Sequence, residues 1–326
     1  MQSIISYKEL IEKELNLLDF HFEPANLYEP MTYILSLGGK RMRPTLCLMA
    51  AELFGLDKSG AISQALAVEI FHNFTLVHDD IMDEAPIRRG KTTVHKKWDQ
   101  NIAILSGDAM FVKAYELLVD ADPKLLPSLL KIFNRTAIEV CEGQQYDMDF
   151  EAREDVSIDE YLKMIELKTA VLLGGALQLG AIIAEAPVHD QELIYAFGKN
   201  IGLAFQLQDD ILDVYADPEK FGKQVGGDII SNKKTFLLLK ALELADENQK
   251  EELNKWIDLP SGDFDPEEKV NAVKLIFDAL NVKDLAQTKM DEYFQVGMEA
   301  LQKVNVSKEK KETLEELAEQ LMVRDI

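Results

Sequence analysis

Two aspartate-rich stretches have residue types and a spacing that could do chemistry. They read LVHDDIMD at 76–83 and LQDDILD at 207–213, so each holds two adjacent aspartates and a third one helical turn later. Residues four apart share a helix face, which places Asp79 beside Asp83 and Asp209 beside Asp213. Carboxylates at this spacing repel each other unless a cation lies between them. Because Mg²⁺ prefers oxygen ligands and completes its shell with water and substrate phosphates, the stretches indicate metal-bridged binding of a phosphate ester.

A single motif of this kind could equally be a solvated helix end, since short motifs often match by chance. Here the motif occurs twice, and both copies lie among Ile, Leu, Val and Met. Carboxylates in an apolar setting are costly unless they are paired or bind a metal. The repetition therefore favours the metal site.

Composition excludes several classes of partner. The chain has 326 residues, with 35 Lys and Arg against 58 Asp and Glu, and a formal net charge of -23. Such a surface repels nucleic acid and anionic membranes. Cys47 and Cys141 stand far apart and are predicted to be reduced packing residues of a cytoplasmic protein. Residues 1–20 lack the order of a signal peptide, and the least polar run, 170–184, is predicted to be a buried core helix without membrane insertion.

Helical periodicity runs through almost the whole chain, and no segment alternates with period two, so the predicted fold is all-α. The clearest segments are 5–18, 44–54, 61–83, 103–119, 123–146, 158–184 and 190–215. The first long polar linker is 259–266, which contains two prolines and a glycine. We therefore expect one helical domain over 1–326, with 260–326 as a C-terminal helical addition to the same bundle.

Basic residues form islands beside these features. In LGGKRMRP at 37–44, Gly38 and Gly39 permit a tight turn, and Lys40 and Arg43 flank a helix start near Pro44. Free N–H groups at a helix start, together with Lys and Arg, favour a phosphate, although a solvated basic turn would read the same way.

Further islands follow the two aspartate motifs. Arg88 and Arg89 come directly after the first motif, in PIRRGKTTVH at 86–95, on a segment expected to be irregular. Consecutive side chains there point to different sides, so the two arginines could bind two anions. The islands at 220–223 and 233–234 follow the second motif. Islands beside both motifs are hard to explain as random surface.

Three more polar positions lie near the motifs along the helices. His72 is two turns before Asp79 on the same face, although a satisfied core histidine is the commoner case. Glu69 and His72 form an ExxH pair, but a di-iron bundle needs a second such pair, and none of the other histidines has Glu three residues before it. Lys168 precedes a Gly-rich turn, where it is a ligand or a snorkelling surface residue. Gln206 shares a face with Asp209.

Five ordered motifs resemble those of the trans-isoprenyl diphosphate synthases, the polyprenyl synthetase family. They are GGKRMRP from Gly38, FHNFTLVHDDIMDEAPIRRG from Phe71, GQQYD from Gly143, KTA from Lys168, and FQLQDDILD from Phe205 followed by FGK and GGD. The resemblance covers residues 38 to about 234. It implies a single large helical bundle around a deep central cavity. It also implies head-to-tail condensation of isopentenyl diphosphate with dimethylallyl, geranyl or farnesyl diphosphate, in a homodimer.

The resemblance assigns roles residue by residue. Asp79, Asp83 and Asp209 would hold three Mg²⁺ ions, supported by Asp80, Asp210 and Asp213. Arg88, Lys168, Gln206, Lys223 and Lys233 would bind the allylic diphosphate or the departing pyrophosphate, with Thr169 lining the reacting centre, so that Arg88, Lys168 and Thr169 are the catalytic candidates. Lys40, Arg43, His72 and Arg89 would bind isopentenyl diphosphate. The stretch 224–227 is one residue longer than the family's commonest spacing, which leaves open whether Lys233 or Lys234 makes the contact.

The same resemblance bears on product length. In the family, bulk at the positions of Phe74 and Thr75 stops elongation. Phe74 argues against very long chains and the small Thr75 against the shortest, which favours geranylgeranyl diphosphate, with farnesyl diphosphate as the alternative. Departing pyrophosphate is the expected base for the final proton loss.

Two other classes share parts of this pattern. A class I terpene cyclase uses similar metal chemistry, but its second motif normally carries Asn or Asp with Ser/Thr and Glu in place of a second DDxxD. A non-catalytic subunit of a heteromeric synthase loses aspartates or the arginine pair. All of these residues are present here, so an active synthase is expected.

Overall fold

The structure, a computed structural model, describes residues 2–216, 225–260 and 262–322. The helices of the first part are α1 (Gln2–Leu17), α2 (Ala25–Ser36), α3 (Met42–Leu53), a 3-10 turn (Lys58–Ala61), α4 (Ile62–Met82), α5 (Val94–Lys97), α6 (Gln100–Leu118), α7 (Leu126–Glu151), α8 (Ile158–Ile165), a π-helical turn (Glu166–Ala170), α9 (Val171–Ile183) and α10 (Val188–Tyr215). Those that follow are α11 (Gly227–Ile230), α12 (Phe236–Leu244), α13 (Glu247–Ile257), α14 (Pro266–Ala279), α15 (Val282–Lys303) and α16 (Lys308–Met322).

The predicted all-α class is confirmed, with one local exception. Two short antiparallel strands, β1 (Ile87–Arg88) and β2 (Lys91–Thr92), form a hairpin where an irregular segment was expected. Arg89 and Gly90 make its two-residue turn, with φ of 52° and 73°. Positive φ at both central positions is what a tight turn between twisted strands requires. Strands of two residues are too short to show a period in the sequence.

The chain forms two compact units. Unit 1 comprises residues 1–135, 175–195 and 305–313, and unit 2 comprises 136–174, 196–304 and 314–326. The first aspartate motif belongs to unit 1 and the second to unit 2. The single domain over 1–326, with its C-terminal addition at 260–326, stays a prediction.

Unit 1 is built around α4, which packs against α3 and α6. Its first half is buried on nearly every face, as a helix with small and aliphatic residues throughout permits. Cys47 on α3 is also buried, and the backbone of Gly180 lies so close to it that a side chain on Gly180 would overlap the Cys47 carbonyl. The predicted packing role therefore holds for Cys47. It is wrong for Cys141, which is exposed on α7 because it lies on the outer face of that amphipathic helix.

A buried arginine ties the start of α3 to three other helices of unit 1. Arg41 has φ of 50° and its side chain is 1% exposed. Its Nε donates to Glu12 on α1 at 2.8 Å, its Nη1 to Glu69 on α4 at 2.6 Å, and its Nη2 to the Leu35 carbonyl of α2 at 2.7 Å. Glu69 also accepts from Asn73 at 3.0 Å. This network accounts for the acidic residue three positions before His72.

Unit 2 contains a second core, formed by α8, α10 and the helices from α12 to α15. Buried side chains at its centre include Tyr161, Leu207, Leu237 and Phe277. The predicted helix 158–184 is interrupted at Glu166–Ala170 by a wider π-helical turn, which often marks a functional segment. Gly143 on α7 lies against this turn, and a side chain there would overlap the Lys168 backbone nitrogen.

One stretch, Ile158–Ile183, is long and apolar enough to cross a membrane by length and composition alone. In the fold, 83% of the most apolar 18-residue part of this stretch is buried, as in the core helix of a soluble protein. Such a stretch is weak evidence for a membrane span.

We expect Glu69→Ala to lower the free energy of unfolding by about 3–5 kcal/mol, because it leaves the buried Arg41 charge without its main partner. The matched control is Glu12→Ala, which removes a carboxylate from the same arginine but from a partly exposed position. There we expect a loss of about 1 kcal/mol or less. Urea unfolding of both variants measures the difference, and equal losses would contradict it.

Candidate active site

The first aspartate motif lies on the last turn of α4, and its three carboxylates differ in environment. Asp80 is 1% exposed and receives Arg88 Nε at 2.8 and 2.9 Å and Arg88 Nη2 at 2.7 Å. Asp79 is half-buried and Asp83 is exposed. The Asp83 amide donates to the Asp79 carbonyl at 2.8 Å, so the helical turn that joins these two outer aspartates is intact. The buried middle carboxylate is therefore neutralised by Arg88, and the outer pair is more accessible.

Arg43 and His72, which the sequence predicts to share a substrate, lie together in unit 1. Arg43 Nη1 is 3.1 Å from His72 Nε2. Because a guanidinium can only donate, Nε2 accepts and the ring proton lies on Nδ1. Burial, reinforced by the charges of Arg43 and Arg89, holds the pKa of His72 well below its usual value, so the ring is neutral at pH 7. Burial also lowers the pKa of Arg43 to about 10, which leaves it charged.

Arg89 reaches the same region from the hairpin turn. Its Nη1 donates to the Gly38 carbonyl, and its guanidinium packs under Gly39, where an added Cβ would lie 2.9 Å from Nη2. Gly38 and Gly39 have φ of 74° and 143°, so the glycine pair gives the turn a shape that few other residues adopt. The predicted residues of this cluster are thus brought together from three separate segments, with the exposed Lys40 beside them in sequence.

Two arginines of this cluster make no direct ion pair in the described part of unit 1. Within the described residues, no carboxylate lies within 4.0 Å of Arg43 or Arg89. The buried Nε of Arg43 has no hydrogen-bond partner there either. Buried donors and charges normally have partners, so the arrangement fits an anionic ligand that supplies them.

The second aspartate motif lies near the end of α10, in unit 2, and its middle carboxylate is again the buried one. Asp210 accepts from the hydroxyl of Tyr161 and, at 3.4 Å, from Gln206 Nε2. Burial, with a contribution from the nearby Asp228 charge, raises the pKa of Asp210 to about 7. Asp209 and Asp213 are half-buried. Asp213 Oδ2 accepts from the Asp228 amide at 2.9 Å, at the start of α11.

The predicted diphosphate ligands of unit 2 have defined partners. Lys168 Nζ donates to Asp147 at 2.5 Å, and the Thr169 hydroxyl donates to Gln206 Oε1 at 3.3 Å. Lys233 is exposed, and its positive charge offsets part of the rise in the pKa of Asp210. Lys234 is half-buried. Lys223 lies outside the described residues. Thr169 therefore connects through Gln206 to the buried aspartate of the motif.

Phe74 and Thr75 precede the first motif by about one turn. Phe74 stacks on Phe111 of α6, with ring centroids 5.0 Å apart and planes 19° apart. It also contacts Phe71 at 5.6 Å and His78 at 4.8 Å. The Thr75 hydroxyl donates to the His72 carbonyl at 2.8 Å, so it adds no bulk beyond its methyl group. Phe74 is thus held within an aromatic cluster on α4 and α6.

The aspartates fit Mg²⁺ by the chemistry of their donors. Among residues 2–216, 225–260 and 262–322, no three His, Cys, Asp or Glu side chains group as a protein-only metal cage. Mg²⁺ needs no such cage, because it is usually held by one or two carboxylates together with water and substrate phosphates. The outer aspartates, two to a helix face, suit that mode.

Several residues with functional contacts were missed or given no role by the sequence reasoning. Tyr161 holds Asp210 from 49 positions away, so no local pattern connects them. Asp147 was quoted only within a motif, and Asp228 only as the end of GGD. Phe111 supports Phe74 from another helix. An acidic residue in an ordered motif was the one available signal, and it pointed to Asp147.

Comparison with known proteins agrees with these features. The family model described as polyprenyl synthetase matches residues 24–276. The chain is 37% identical over 318 residues to a short chain isoprenyl diphosphate synthase of Methanothermobacter thermautotrophicus, covering 97% of this chain and 93% of that protein. A crystal structure of a geranylgeranyl pyrophosphate synthase matches with a TM-score of 0.94 and 49% identity, over 99% of both chains. One from Pyrococcus horikoshii matches with a TM-score of 0.92 and 34% identity, over 99% of both chains.

An all-α fold of the isoprenoid synthase type, with a DDxxD motif in each unit, defines a trans-prenyltransferase. The chain belongs to the polyprenyl synthetase family, whose enzymes join isopentenyl diphosphate to an allylic diphosphate.

We expect Gly39→Ala to raise the KM for one of the two diphosphate substrates by about tenfold, because the new methyl group displaces the Arg89 guanidinium and a charged hydrogen bond to phosphate is lost. Gly38→Ala is the control, since it also places a side chain at a positive φ but its methyl group meets nothing within 4 Å. Steady-state kinetics with each substrate varied in turn measure the effect. A KM that rises equally in both variants would show that backbone strain, and not Arg89, is responsible.

Proposed function

We propose that this enzyme makes geranylgeranyl diphosphate, adding isopentenyl diphosphate to dimethylallyl, geranyl or farnesyl diphosphate. The stacked Phe74–Phe111 pair one turn before the first aspartate motif is the observation that carries the product length. A bulky ring held there limits the growing chain, while Thr75 leaves more room than a second aromatic would. Two of the crystal structures that the chain resembles, with 49% and 34% identity, are named as geranylgeranyl pyrophosphate synthases.

Isopentenyl diphosphate binds, in this proposal, to Lys40, Arg43, His72 and Arg89. Arg43 and Arg89 make no direct ion pair among the described residues, and the buried Arg43 Nε has no hydrogen-bond partner there, which supports this assignment. A diphosphate supplies both the missing charge and the missing acceptors. The neutral His72, whose Nε2 accepts from Arg43, fixes the direction of that guanidinium without adding a positive charge.

In this proposal, Asp79, Asp83 and Asp209 would hold the Mg²⁺ ions, three in the loaded enzyme, to which the allylic diphosphate would bind. When bound, the metal stabilises the negative charge of departing pyrophosphate. Asp80, Asp210 and Asp213 support the ligands. The protein groups assigned to the diphosphate are Arg88, Lys168, Thr169, Gln206, Lys223 and Lys233, with Arg88, Lys168 and Thr169 nearest the reacting centre.

These residues act by charge, orientation and exclusion of water. Lysine and arginine side chains balance the charge that develops as the C–O bond of the allylic diphosphate breaks, which lowers the barrier to an allylic cation. The cation then adds to the double bond of isopentenyl diphosphate. The basic cluster that binds this substrate holds it in place for the addition. Apolar side chains keep water from the cation. Departing pyrophosphate takes the proton, since no side chain is assigned as the base.

The direct test incubates the purified protein and Mg²⁺ with isopentenyl diphosphate and, in separate reactions, each of the three allylic primers. We expect a twenty-carbon product from all three, measured by mass spectrometry after dephosphorylation, and none when EDTA removes the metal. A fifteen-carbon limit would make farnesyl diphosphate the product and move the length determinant elsewhere. A folded protein that condenses no primer would overturn the synthase assignment in favour of a non-catalytic subunit.

The role of Phe74 is tested with Phe74→Leu, which we expect to give products longer than twenty carbons. Phe133→Leu is the matched control, because it removes a ring from the same aromatic cluster, where Phe133 contacts Phe71 and Tyr115 but not Phe74. Longer products from both variants, or from neither, would contradict the assignment to Phe74.

We further propose that the enzyme is a cytoplasmic homodimer. Two exposed apolar residues on one face of α6 support this, Leu105 at 59% and Val112 at 58% exposure, two turns apart. Such residues are costly in water unless a partner covers them. Light scattering coupled to size exclusion should give twice the chain mass, and Leu105→Asp with Val112→Asp should reduce it to a monomer. A monomeric unmodified protein would overturn the proposal.

A further inference from the structure

Lys269 is a lysine where the fold would ordinarily place an apolar residue. It lies in the first turn of α14 and is 1% exposed. Within the described residues, no carboxylate lies within 4.0 Å of its ammonium group. Lysine is almost never buried without a charged partner, because desolvating the ammonium is costly. Burial accordingly lowers the pKa of Lys269.

The ammonium group nonetheless has two hydrogen-bond acceptors and one aromatic contact. Nζ donates to Asn232 Oδ1 at 2.6 Å and to the Ile230 carbonyl at 3.4 Å, and it lies 4.3 Å from the ring centroid of Phe264. One oxygen belongs to the last residue of α11 and the other to the turn that follows this helix. The ammonium group therefore binds a backbone oxygen and a side-chain oxygen of one short segment, residues 230–232.

Asn232 connects Lys269 to Lys233, a residue of the candidate active site. It has φ of 54°, a left-handed conformation that asparagine adopts more readily than most residues other than glycine. Its side chain is held at both ends, since Nδ2 donates to the Ile257 carbonyl at 2.9 Å and Oδ1 accepts from Lys269. Lys233 follows directly in sequence. Fixing Asn232 therefore fixes the backbone from which the Lys233 side chain projects.

The other end of the segment is anchored to the second aspartate motif. Gly226 N donates to the Asp213 carbonyl at 2.6 Å, and Asp228 N donates to the Asp213 carboxylate at 2.9 Å. Lys233 N in turn donates to the Asp228 carbonyl at 2.9 Å. The segment from Gly226 to Lys233 thus runs between the motif at one end and Lys269 at the other.

We propose that Lys269 is a positioning residue, which holds Lys233 beside the second aspartate motif by gripping Asn232 and the Ile230 carbonyl. The inference rests on the proposed function, in which Lys233 binds the allylic diphosphate or departing pyrophosphate. A lysine side chain gains affinity for a phosphate when its backbone is already in place before the ligand arrives. Lys269 holds that backbone in place from a buried position outside the proposed ligand contacts.

The experiment compares Lys269→Met, which keeps the length of the side chain but removes the ammonium group, with Asn232→Gly, which permits the same φ but removes the amide. Lys233→Met reports the direct loss of the diphosphate contact. Lys250→Met, at an exposed position on α13, is the control for a lysine-to-methionine change. Each variant is assayed for the KM of both substrates, for binding of inorganic pyrophosphate with Mg²⁺ by calorimetry, and for its melting temperature.

We expect Lys269→Met and Asn232→Gly each to weaken pyrophosphate binding and to raise the KM for the allylic diphosphate by about tenfold, the value of a lost charged contact. The KM for isopentenyl diphosphate should stay unchanged. The double variant should be no worse than either single one, because both act through one contact. Asn232→Gly decides the question if Lys269→Met fails to fold.

Different results separate this inference from the proposal beneath it. Impaired pyrophosphate binding in Lys233→Met alone, with normal binding in Lys269→Met and Asn232→Gly, would overturn the positioning role and leave the role of Lys233 intact. Normal binding in Lys233→Met would overturn both. Equal increases in the two KM values, or a loss of activity that follows only the loss of folded protein, would show that Lys269 merely stabilises the fold.

Discussion

Compensation of charge inside helices is the constraint on which this structure depends. Each aspartate motif places three carboxylates within two helical turns, and such a group cannot be accommodated without nearby positive charge or hydrogen-bond donors. For the middle aspartate of each motif, another side chain of the protein supplies the charge or the donor. Arg88 holds Asp80, and the Tyr161 hydroxyl holds Asp210. The two outer aspartates of each motif are the more accessible ones, as a metal-bridged ligand requires.

The two internal solutions differ in charge. Arg88 makes a bidentate ion pair, so a positive charge faces Asp80. Tyr161 is neutral, and burial with a nearby carboxylate raises the pKa of Asp210 to about 7. The two motifs are therefore alike in sequence but unlike in electrostatics, because the groups that face their middle aspartates come from different elements.

Six residues other than glycine have a positive φ in the described part of the chain, and three of them lie at basic side chains. Arg41, Arg89 and Asn232 have φ of 50°, 52° and 54°, and each is itself a basic residue or directly precedes one. Such conformations cost about 1 kcal/mol or more and persist only where surrounding contacts impose them. Buried ion pairs impose the first, the hairpin and the Gly38 carbonyl the second, and Lys269 the third. These contacts therefore fix the backbone conformation at the three positions.

The sequence by itself determined the all-α class, the family and the positions of both aspartate motifs. Helical periodicity is local, and the motifs are contiguous, so both can be read from short stretches. It also predicted that Arg43, His72 and Arg89 share a site, through the family resemblance. The hairpin at Arg89 and the exposure of Cys141 were not predicted, because two-residue strands have no period and a helix face is assigned only by its neighbours. Tertiary structure alone decided which aspartate of each motif is neutralised, that Phe111 supports Phe74, and that Lys269 grips Asn232. These contacts join residues between 8 and 49 positions apart along the chain, and only packing brings such residues within hydrogen-bond or ring-contact distance.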